Sequence, residues 1–216
     1  LFKELEKLRG QNNGKELRGL VIDLRNNPGG LLDQAVAIAD RFLPGGMAIV
    51  STRGRDGAQA TEERAKDRDT EKPYPIVVLV NAGSASASEI VAGALQDHKR
   101  AVLMGVPTFG KGSVQTVIEM EDGSGLKLTI ARYYTPSGRS IQERGILPDF
   151  LVGESEGVLT KTETLREKDL KRHFRGEAEA PDVTALKPSL PENLKAWDVT
   201  DKLTDYQLKI ALNYLN

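Results

Sequence analysis

The sequence predicts an α/β fold with a β-hairpin sheet and a C-terminal helical appendage. Two stretches, residues 20–51 and 76–104, each run from an apolar strand through a small-residue turn and an amphipathic helix to a second strand. Alternating apolar residues over 114–134 indicate the hairpin, and the tail is charged and proline-rich. We therefore expect a core over residues 1–152 and a linker with a helical tail over residues 153–216.

The first stretch follows an N-terminal helix and contains one unusual turn. Its strand of Leu, Val and Ile is interrupted by Asp23 and ends at Asn27-Pro28-Gly29-Gly30, where an amphipathic helix begins. Pro44-Gly45-Gly46 closes that helix. The helix, strand, helix and strand are predicted over residues 1–9, 20–24, 31–43 and 47–51.

The second stretch places three serines between a strand and a helix. The strand covers residues 76–80, the helix residues 86–96, and Ser84, Ser86 and Ser88 lie where they meet. A further strand over 101–104 leads to Lys111, which is held between two glycines. This order puts a serine and a lysine at the ends of neighbouring strands.

The remaining segments are more polar. Residues 53–74 are charged and predict a solvated loop or an exposed hairpin. Residues 114–120 and 126–134 alternate around an Asp-Gly-Ser-Gly turn and predict a hairpin. In the tail we expect a charged helix near 164–174, a proline-rich segment over 178–192, and a last helix that starts with a Thr204 to Gln207 capping box.

Composition excludes several classes of function. The net charge is −1 with both signs scattered, so no basic stripe indicates nucleic acid or an anionic membrane. No apolar run approaches the roughly 18 residues of a membrane span. There is no cysteine, which excludes disulfides, a thiolate nucleophile and cysteine-bound metals.

A serine at a helix N-terminus is a candidate nucleophile. Backbone N–H groups and the helix dipole favour negative charge there, which suits both a nucleophile and an oxyanion. The alternative is purely structural, because Ser86 and Glu89 also fit a capping box. A catalytic interpretation therefore requires a base elsewhere in the chain.

Lys111 is the candidate base. His98 lies twelve residues beyond Ser86, roughly 18 Å along one helix, and His173 lies in the charged tail, so a Ser-His-Asp triad is disfavoured. A free lysine is almost wholly protonated near pH 7, so a lysine base requires desolvation, which the neighbouring Phe109 makes plausible. The alternative is an exposed lysine on a glycine loop.

Two further interpretations concern glycine-rich loops. Gly105 to Lys111 imitates the start of a phosphate-binding loop, but Gly112 and a strand follow where that motif requires Ser or Thr and a helix. The loop from Asn27 to Gly30 could donate backbone N–H groups to an oxyanion at Ser86, or it could be a turn with only a packing role.

Four segments together resemble the carboxyl-terminal processing, or tail-specific, serine peptidases. They are Leu-Arg-Asn-Asn-Pro-Gly-Gly-Leu-Leu at 24–32, Gly-Ser-Ala-Ser-Ala-Ser-Glu-Ile at 83–90, Pro-Thr-Phe-Gly-Lys-Gly-Ser-Val-Gln at 107–115 and Asp-Gly-Ser-Gly-Leu-Lys-Leu-Thr at 122–129. Their order and spacing make the resemblance specific over residues 1–152.

The resemblance implies roles that local sequence does not. It implies a crotonase/ClpP-like core and a Ser-Lys dyad, with Ser86 as nucleophile, Lys111 as general base and Gln115 orienting the lysine. The oxyanion donors would be the N–H of Ala87 and that of Gly29 or Gly30. Because an extended strand would separate Lys111 from Gln115 by roughly 13 Å, we expect a backbone bend near Gly112.

The resemblance also implies a biological setting. It implies no metal or cofactor, protein or peptide substrates with accessible C-termini, a periplasmic or cell-envelope location, and possible homodimers through the terminal helices. Compared with the usual pattern of the family, we expect residues 1–216 to lack the PDZ domain and the first strand of the core.

Two alternatives to a peptidase remain at this point. One is a binding or scaffold role for an inactive relative, which the presence of Ser86, Lys111 and Gln115 disfavours. The other is an acyl-CoA enzyme of the crotonase type, which also uses two backbone N–H donors. A covalent acyl adduct on Ser86 would distinguish the peptidase from both.

Overall fold

The computed structural model describes residues 1–55, 60–157, 165–177, 186–192, 194 and 203–216. Within them the structure is a mixed α/β fold with two four-stranded sheets, as the sequence predicted at that level. No helix among the described residues has the length and apolar content needed to cross a membrane.

The first sheet is parallel and carries the site at the carboxyl ends of its strands. Its order is β1-β4-β5-β8, and all of its neighbours run parallel. The central strand β4 is buried at all five positions because both of its faces are covered, which explains its continuous apolar sequence. The four strands are Leu20–Asp23, Ile76–Val80, Val102–Gly105 and Phe150–Leu151.

The second sheet is antiparallel, and its strands, from one edge to the other, are β3 (Thr61–Arg64), β2 (Ala48–Gly54), β7 (Gly125–Tyr134) and β6 (Ser113–Glu119). The sequence analysis grouped β1 and β2 in one strand–helix–strand stretch, but the two strands lie in different sheets: β2 pairs with β3 and β7, and the parallel neighbour of β1 is β4. The predicted β6–β7 hairpin is confirmed, and the charged segment after β2 includes the exposed strand β3.

Helices cover both faces of the parallel sheet. The helices α2 and α3 pack on each other beside one face, within a core that includes Phe42, Ile90 and Leu95. The helix α4 packs on the other face, where Ile210 and Ala211 meet Val77 and Leu79. The four helices are Phe2–Gln11, Leu32–Asp40, Ala87–Asp97 and Tyr206–Leu215.

The tail differs from its prediction in two places. The charged helix expected near 164–174 is wrong: Thr164 lies outside the described residues, and only a 3₁₀ turn, Glu167–Asp169, forms. The cap of α4 is Asp205, whose carboxylate accepts the N–H of Leu208 at 3.0 Å, instead of Thr204. The carboxylate also binds Arg25 beside β1, and this ion pair anchors the start of the helix to the core. Most of the predicted proline-rich segment lies outside the described residues.

Candidate active site

Three serines at the end of β4 have different environments. Ser84 is fully buried, and its hydroxyl donates to Leu24 O at 2.7 Å. Ser88 is buried too, and its hydroxyl donates to Asn27 O at 3.0 Å. Ser86 is half-buried and forms with Glu89 the capping box that the sequence predicted. Among the described residues, no hydrogen bond is donated by its hydroxyl. Ser86 is therefore the serine whose hydroxyl is available to a substrate, a choice that the local sequence left open.

Ser86 adopts a backbone conformation that side chains rarely occupy. Its φ is 55° and its ψ is −115°, and α3 begins at the next residue. A non-glycine residue at positive φ is strained, and such strain persists only where the surroundings impose it. The conformation sets the serine on a sharp turn between a buried strand and a buried helix, with the helix N-terminus directly behind it.

The loop after β1 docks on this serine turn. The carbonyl of Asn27 accepts both the N–H of Ala85, at 3.0 Å, and the Ser88 hydroxyl. Gly29 has a φ of 96°, and a β-carbon added there would lie 2.6 Å from Ala85 O and 3.0 Å from Ser86 Cβ. Glycine is therefore required at this position both for its conformation and for its close contact with the turn.

The two loop glycines are not equivalent as oxyanion donors. The N–H of Gly29 already donates to Asn27 Oδ1 at 3.0 Å. Gly30 is exposed, and a β-carbon there would meet open space. Between them, Gly30 is thus the better placed to offer its N–H to a ligand, together with Ala87 at the first position of α3.

The lysine loop lies beside the serine turn. The N–H of Phe109 donates to Ser84 O at 3.0 Å, so the two segments are directly bonded. Lys111 itself is half-buried. A β-carbon on Gly110 would lie 2.8 Å from Glu143 O, and one on Gly112 would lie 2.3 Å from Gln142 N. The two glycines therefore flank the lysine because the backbone there is pressed against a neighbouring loop.

The described residues contain no direct hydrogen bond between the Ser86 hydroxyl and the Lys111 amine. The two residues are joined instead through Glu89, which is fully buried on α3. Hydrogen bonds between catalytic side chains are commonly long before substrate binds. The structure thus brings the two predicted dyad residues onto adjoining segments without closing the contact between their side chains.

Glu89 is the residue whose importance the sequence analysis missed. Its Oε2 accepts the N–H of Ser86 at 2.8 Å and that of Lys111 at 2.9 Å. Its Oε1 accepts the Thr108 hydroxyl and the N–H of Gly110. Burial raises the pKa of the Glu89 carboxyl to about 7, and the four hydrogen bonds, which favour the ionised form, oppose the rise.

A second missed residue comes from the tail. Arg166 is 2% exposed, and its Nε donates to Thr108 O at 2.9 Å while Nη2 donates to Arg144 O at 2.8 Å. The adjoining N–H of Glu167 donates to Phe109 O. Burial lowers the pKa of Arg166, and the Glu89 and Asp169 carboxylates oppose the shift. No sequence signal marked this arginine, because it follows a charged segment of ordinary appearance.

Gln115 is not joined to the lysine. It is exposed on β6, and its side-chain amide donates to Thr129 Oγ1 at 3.5 Å. The register in which β6 pairs with β7 shifts between Val114 and Gln115. This irregularity lies two residues beyond Gly112, where the bend was expected. The orienting role of Gln115 stays a prediction.

The histidines lie outside the site. His98 ends α3 at the far end from Ser86, and its Nε2 contacts Ala48 O at 2.7 Å. His173 contacts Leu170 O at 2.7 Å and the carboxylate of Glu143. Both rings are bound to other parts of the chain, and the structure gives neither a contact with Ser86.

Comparison with known proteins shows the family. The sequence profile of peptidase family S41 matches residues 1–152, a range that contains the serine turn, the lysine loop and the docked glycine loop. This chain is a member of peptidase family S41. The match covers more than half of the chain, and the serine peptidase resemblance drawn from the four sequence segments is confirmed.

Two proteins similar to this chain are both named carboxyl-terminal processing proteases. The chain is 50% identical over 182 residues to a carboxy-terminal-processing protease of Bartonella bacilliformis, covering 83% of this chain and 42% of that protein. It is 47% identical over 155 residues to a carboxyl-terminal-processing protease of Synechocystis, covering 70% and 35%. The chain therefore spans less than half the length of these relatives.

A solved structure supports the fold. The photosystem II D1 C-terminal processing protease superposes with a TM-score of 0.60 at 43% identity, covering 66% of this chain and 36% of that one. The mixed α/β architecture of the S41 peptidases is thus present in the described residues.

Proposed function

We propose that this chain is the catalytic core of a serine endopeptidase that cleaves proteins at or near their C-termini, using Ser86 and Lys111 as a dyad. One observation supports this most strongly: Ser86 is the accessible member of the three serines, and it lies at a helix N-terminus bonded to the lysine loop. The names of the relatives support the same reaction class.

In the first step a neutral Lys111 amine takes the proton of the Ser86 hydroxyl, and Ser86 Oγ attacks the carbonyl carbon of the scissile peptide. The carbonyl oxygen becomes an oxyanion, which the N–H groups of Ala87 and Gly30 stabilise. Donors fixed in place before the reaction stabilise this charge without reorganisation. The docking of the glycine loop through Asn27 supplies that fixation.

In the second step the lysine ammonium gives its proton to the leaving amine as the C–N bond breaks. This leaves an ester between Ser86 and the N-terminal part of the substrate. Water then attacks the ester carbonyl carbon, with Lys111 accepting its proton. The bond between the acyl carbon and Ser86 Oγ breaks as the Lys111 ammonium returns that proton to Oγ, which releases the N-terminal product as a carboxylic acid. Every proton transfer uses the same two side chains, so the scheme requires no further titrating group.

The proposal also covers the class of substrate, the fold relationship of the core and the cellular location. We infer protein or peptide substrates with accessible C-termini, a crotonase/ClpP-like relationship of the core, and a periplasmic or cell-envelope location. A homodimer through the terminal helices remains a prediction, although α4 already packs on its own sheet, where Ile210 and Ala211 are buried. The role of Gln115 in orienting Lys111 also remains a prediction.

An unstructured protein such as casein tests the proposal. The longest natural polypeptide that contains these 216 residues would be incubated with it beside Ser86→Ala and Lys111→Ala variants of the same polypeptide. We expect fragments from the parent and none from either variant, with the unfolding midpoints of all three alike. Cleavage that survives in either variant would contradict the dyad, whereas no cleavage by the parent would leave the binding and acyl-CoA alternatives to be tested.

A further inference from the structure

We propose that Glu89 is a positioning residue for the dyad, in that its carboxylate sets the distance between the nucleophile segment and the base segment. The inference rests on the Ser-Lys chemistry proposed above. It concerns a side chain that lies outside the dyad and the oxyanion donors.

The first argument is geometric. One oxygen, Oε2, accepts the backbone N–H groups of both Ser86 and Lys111, at 2.8 and 2.9 Å. Two nitrogens bound to one atom at these distances lie less than about 6 Å from each other. The two dyad residues, which belong to different segments of the chain, are thus held together by a single atom.

The second argument is that each oxygen of the Glu89 carboxylate already accepts two hydrogen bonds. The other oxygen, Oε1, accepts the N–H of Gly110 at 2.7 Å and the hydroxyl of Thr108. Every one of these donors belongs to the serine turn or to the lysine loop. A residue that only capped α3 would bind the start of its own helix, whereas Glu89 binds three positions of another segment.

The third argument concerns burial. Glu89 has no exposed surface, and burying a carboxylate costs free energy unless hydrogen bonds satisfy it. An apolar side chain would fill the space at lower cost. The presence of a glutamate beside the dyad is explained if its two acceptor oxygens are required to align the serine and lysine segments. Only a carboxylate accepts at both oxygens and donates at neither.

The buried carboxylate Glu71 provides a matched control. Its side chain is 1% exposed, and it accepts hydrogen bonds from Arg41 Nε and the Tyr74 hydroxyl at 2.9 Å and forms an ion pair with Arg9. It precedes β4, whereas Ser86 follows it, so a strand of about 16 Å separates the two positions. A Glu→Gln change at either position removes one acceptor from a buried network.

The test is steady-state hydrolysis of a peptide p-nitrophenyl ester by the longest natural polypeptide that contains this chain. An amide has one acceptor oxygen, so Glu89→Gln turns an NH₂ group toward one pair of donors and shifts the two segments apart. We expect kcat to fall about 30- to 100-fold with KM changed less than about threefold. We expect Glu71→Gln to lower the unfolding midpoint and to leave kcat unchanged.

A second variant keeps the inference falsifiable where Glu89→Gln fails to fold. Thr108→Val keeps the side-chain shape and removes the hydroxyl that donates to Glu89 and accepts the N–H of Ile146. This hydroxyl reaches the dyad only through the Glu89 carboxylate. We expect its kcat to fall about 5- to 10-fold with KM retained. A folded Glu89→Gln or Thr108→Val variant with the parent kcat would overturn the inference.

The same assay separates this inference from the proposed function. If the parent released no more p-nitrophenol than the Ser86→Ala variant, the dyad and the inference would both be overturned. If the parent turned over through Ser86 and the Glu89→Gln variant matched it, the dyad would stand and the inference alone would be overturned.

Discussion

Gly29 packs directly against Ser86, since a β-carbon added to the glycine would lie 3.0 Å from Ser86 Cβ. The contact joins a loop that follows β1 to a turn that follows β4, and these two strands are neighbours in the parallel sheet. Parallel pairing therefore brings the glycine loop and the serine to the same sheet edge, and the Asn27 carbonyl then locks them together.

Gly29→Ala will impair the chemistry more than the binding of substrate. The new β-carbon would lie 2.6 Å from Ala85 O and 2.7 Å from Ala87 N, on a residue with a φ of 96°. The loop must therefore move away from the serine turn and carry the N–H of Gly30 away from that of Ala87. We expect peptidase kcat to fall by about 100-fold, as measured on a fluorogenic peptide.

Gly30→Ala is the matched control for this change. A β-carbon at Gly30 meets open space, its φ is not in the left-handed region, and the N–H is retained. We expect a kcat within about threefold of the parent. Equal losses in the Gly29→Ala and Gly30→Ala variants would contradict the steric explanation.

Arg166 will stabilise the lysine loop from the tail. Arg166→Met removes the donors to the buried carbonyl of Thr108 and to the part-buried carbonyl of Arg144. We expect a loss of about 3 kcal/mol in the free energy of unfolding, measured in urea, and faster hydrogen exchange at the amides of Gly110 and Lys111.

Lys171→Met is the control for the tail, because Lys171 is exposed in the same segment. It should leave both the unfolding free energy and the exchange rates unchanged. Unchanged exchange at Lys111 in the Arg166→Met variant would show that the tail does not hold the loop.

Glu89 will make stability fall as pH rises from about 4.5 to about 7. Its folded pKa of about 7 lies above its usual value of 4.5, so the folded state binds more protons than the unfolded state in that window. The stabilisation is complete below pH 4.5 and is lost as the pH passes through 7, a change of about 3 kcal/mol.

The measurement is the difference in unfolding free energy between the parent and Glu89→Gln at several pH values. Other titrating groups cancel in this difference, which should shrink with rising pH across the window. A difference that grows with pH would show that the four hydrogen bonds outweigh burial and hold the folded pKa of Glu89 below its usual value.

Local patterns predicted most of the elements but not how β2 would pair. The apolar run of β4 and the alternation of β6 and β7 identified three strands, because burial on both faces or on one face leaves a distinct period. The partner of β2 depends on contacts far along the chain, with Tyr134 and Glu63 among others, and strand periodicity contains no information about partners.

The site was predictable in part for a similar reason. The segments around Ser86 and Lys111 are contiguous in sequence, so the family resemblance predicted both positions, although the local sequence did not choose among the three serines. The roles of Glu89 and Arg166 depend on which donors and acceptors the fold brings to them. The sequence indicated only a capping role for Glu89, because three of its four hydrogen-bond partners are distant in sequence. It did not distinguish Arg166 from the other charged residues of the tail.

A covalent ester on Ser86 is the most direct test of the dyad. The longest natural polypeptide that contains these 216 residues would be mixed with a peptide p-nitrophenyl ester, quenched in acid within the first turnover and analysed by peptide mass spectrometry. We expect the acyl mass on the peptide that contains Ser86, located at that residue, and absent from the Ser86→Ala and Lys111→Ala variants. Acylation of Ser84 or Ser88, or turnover without any adduct in the parent, would contradict the account.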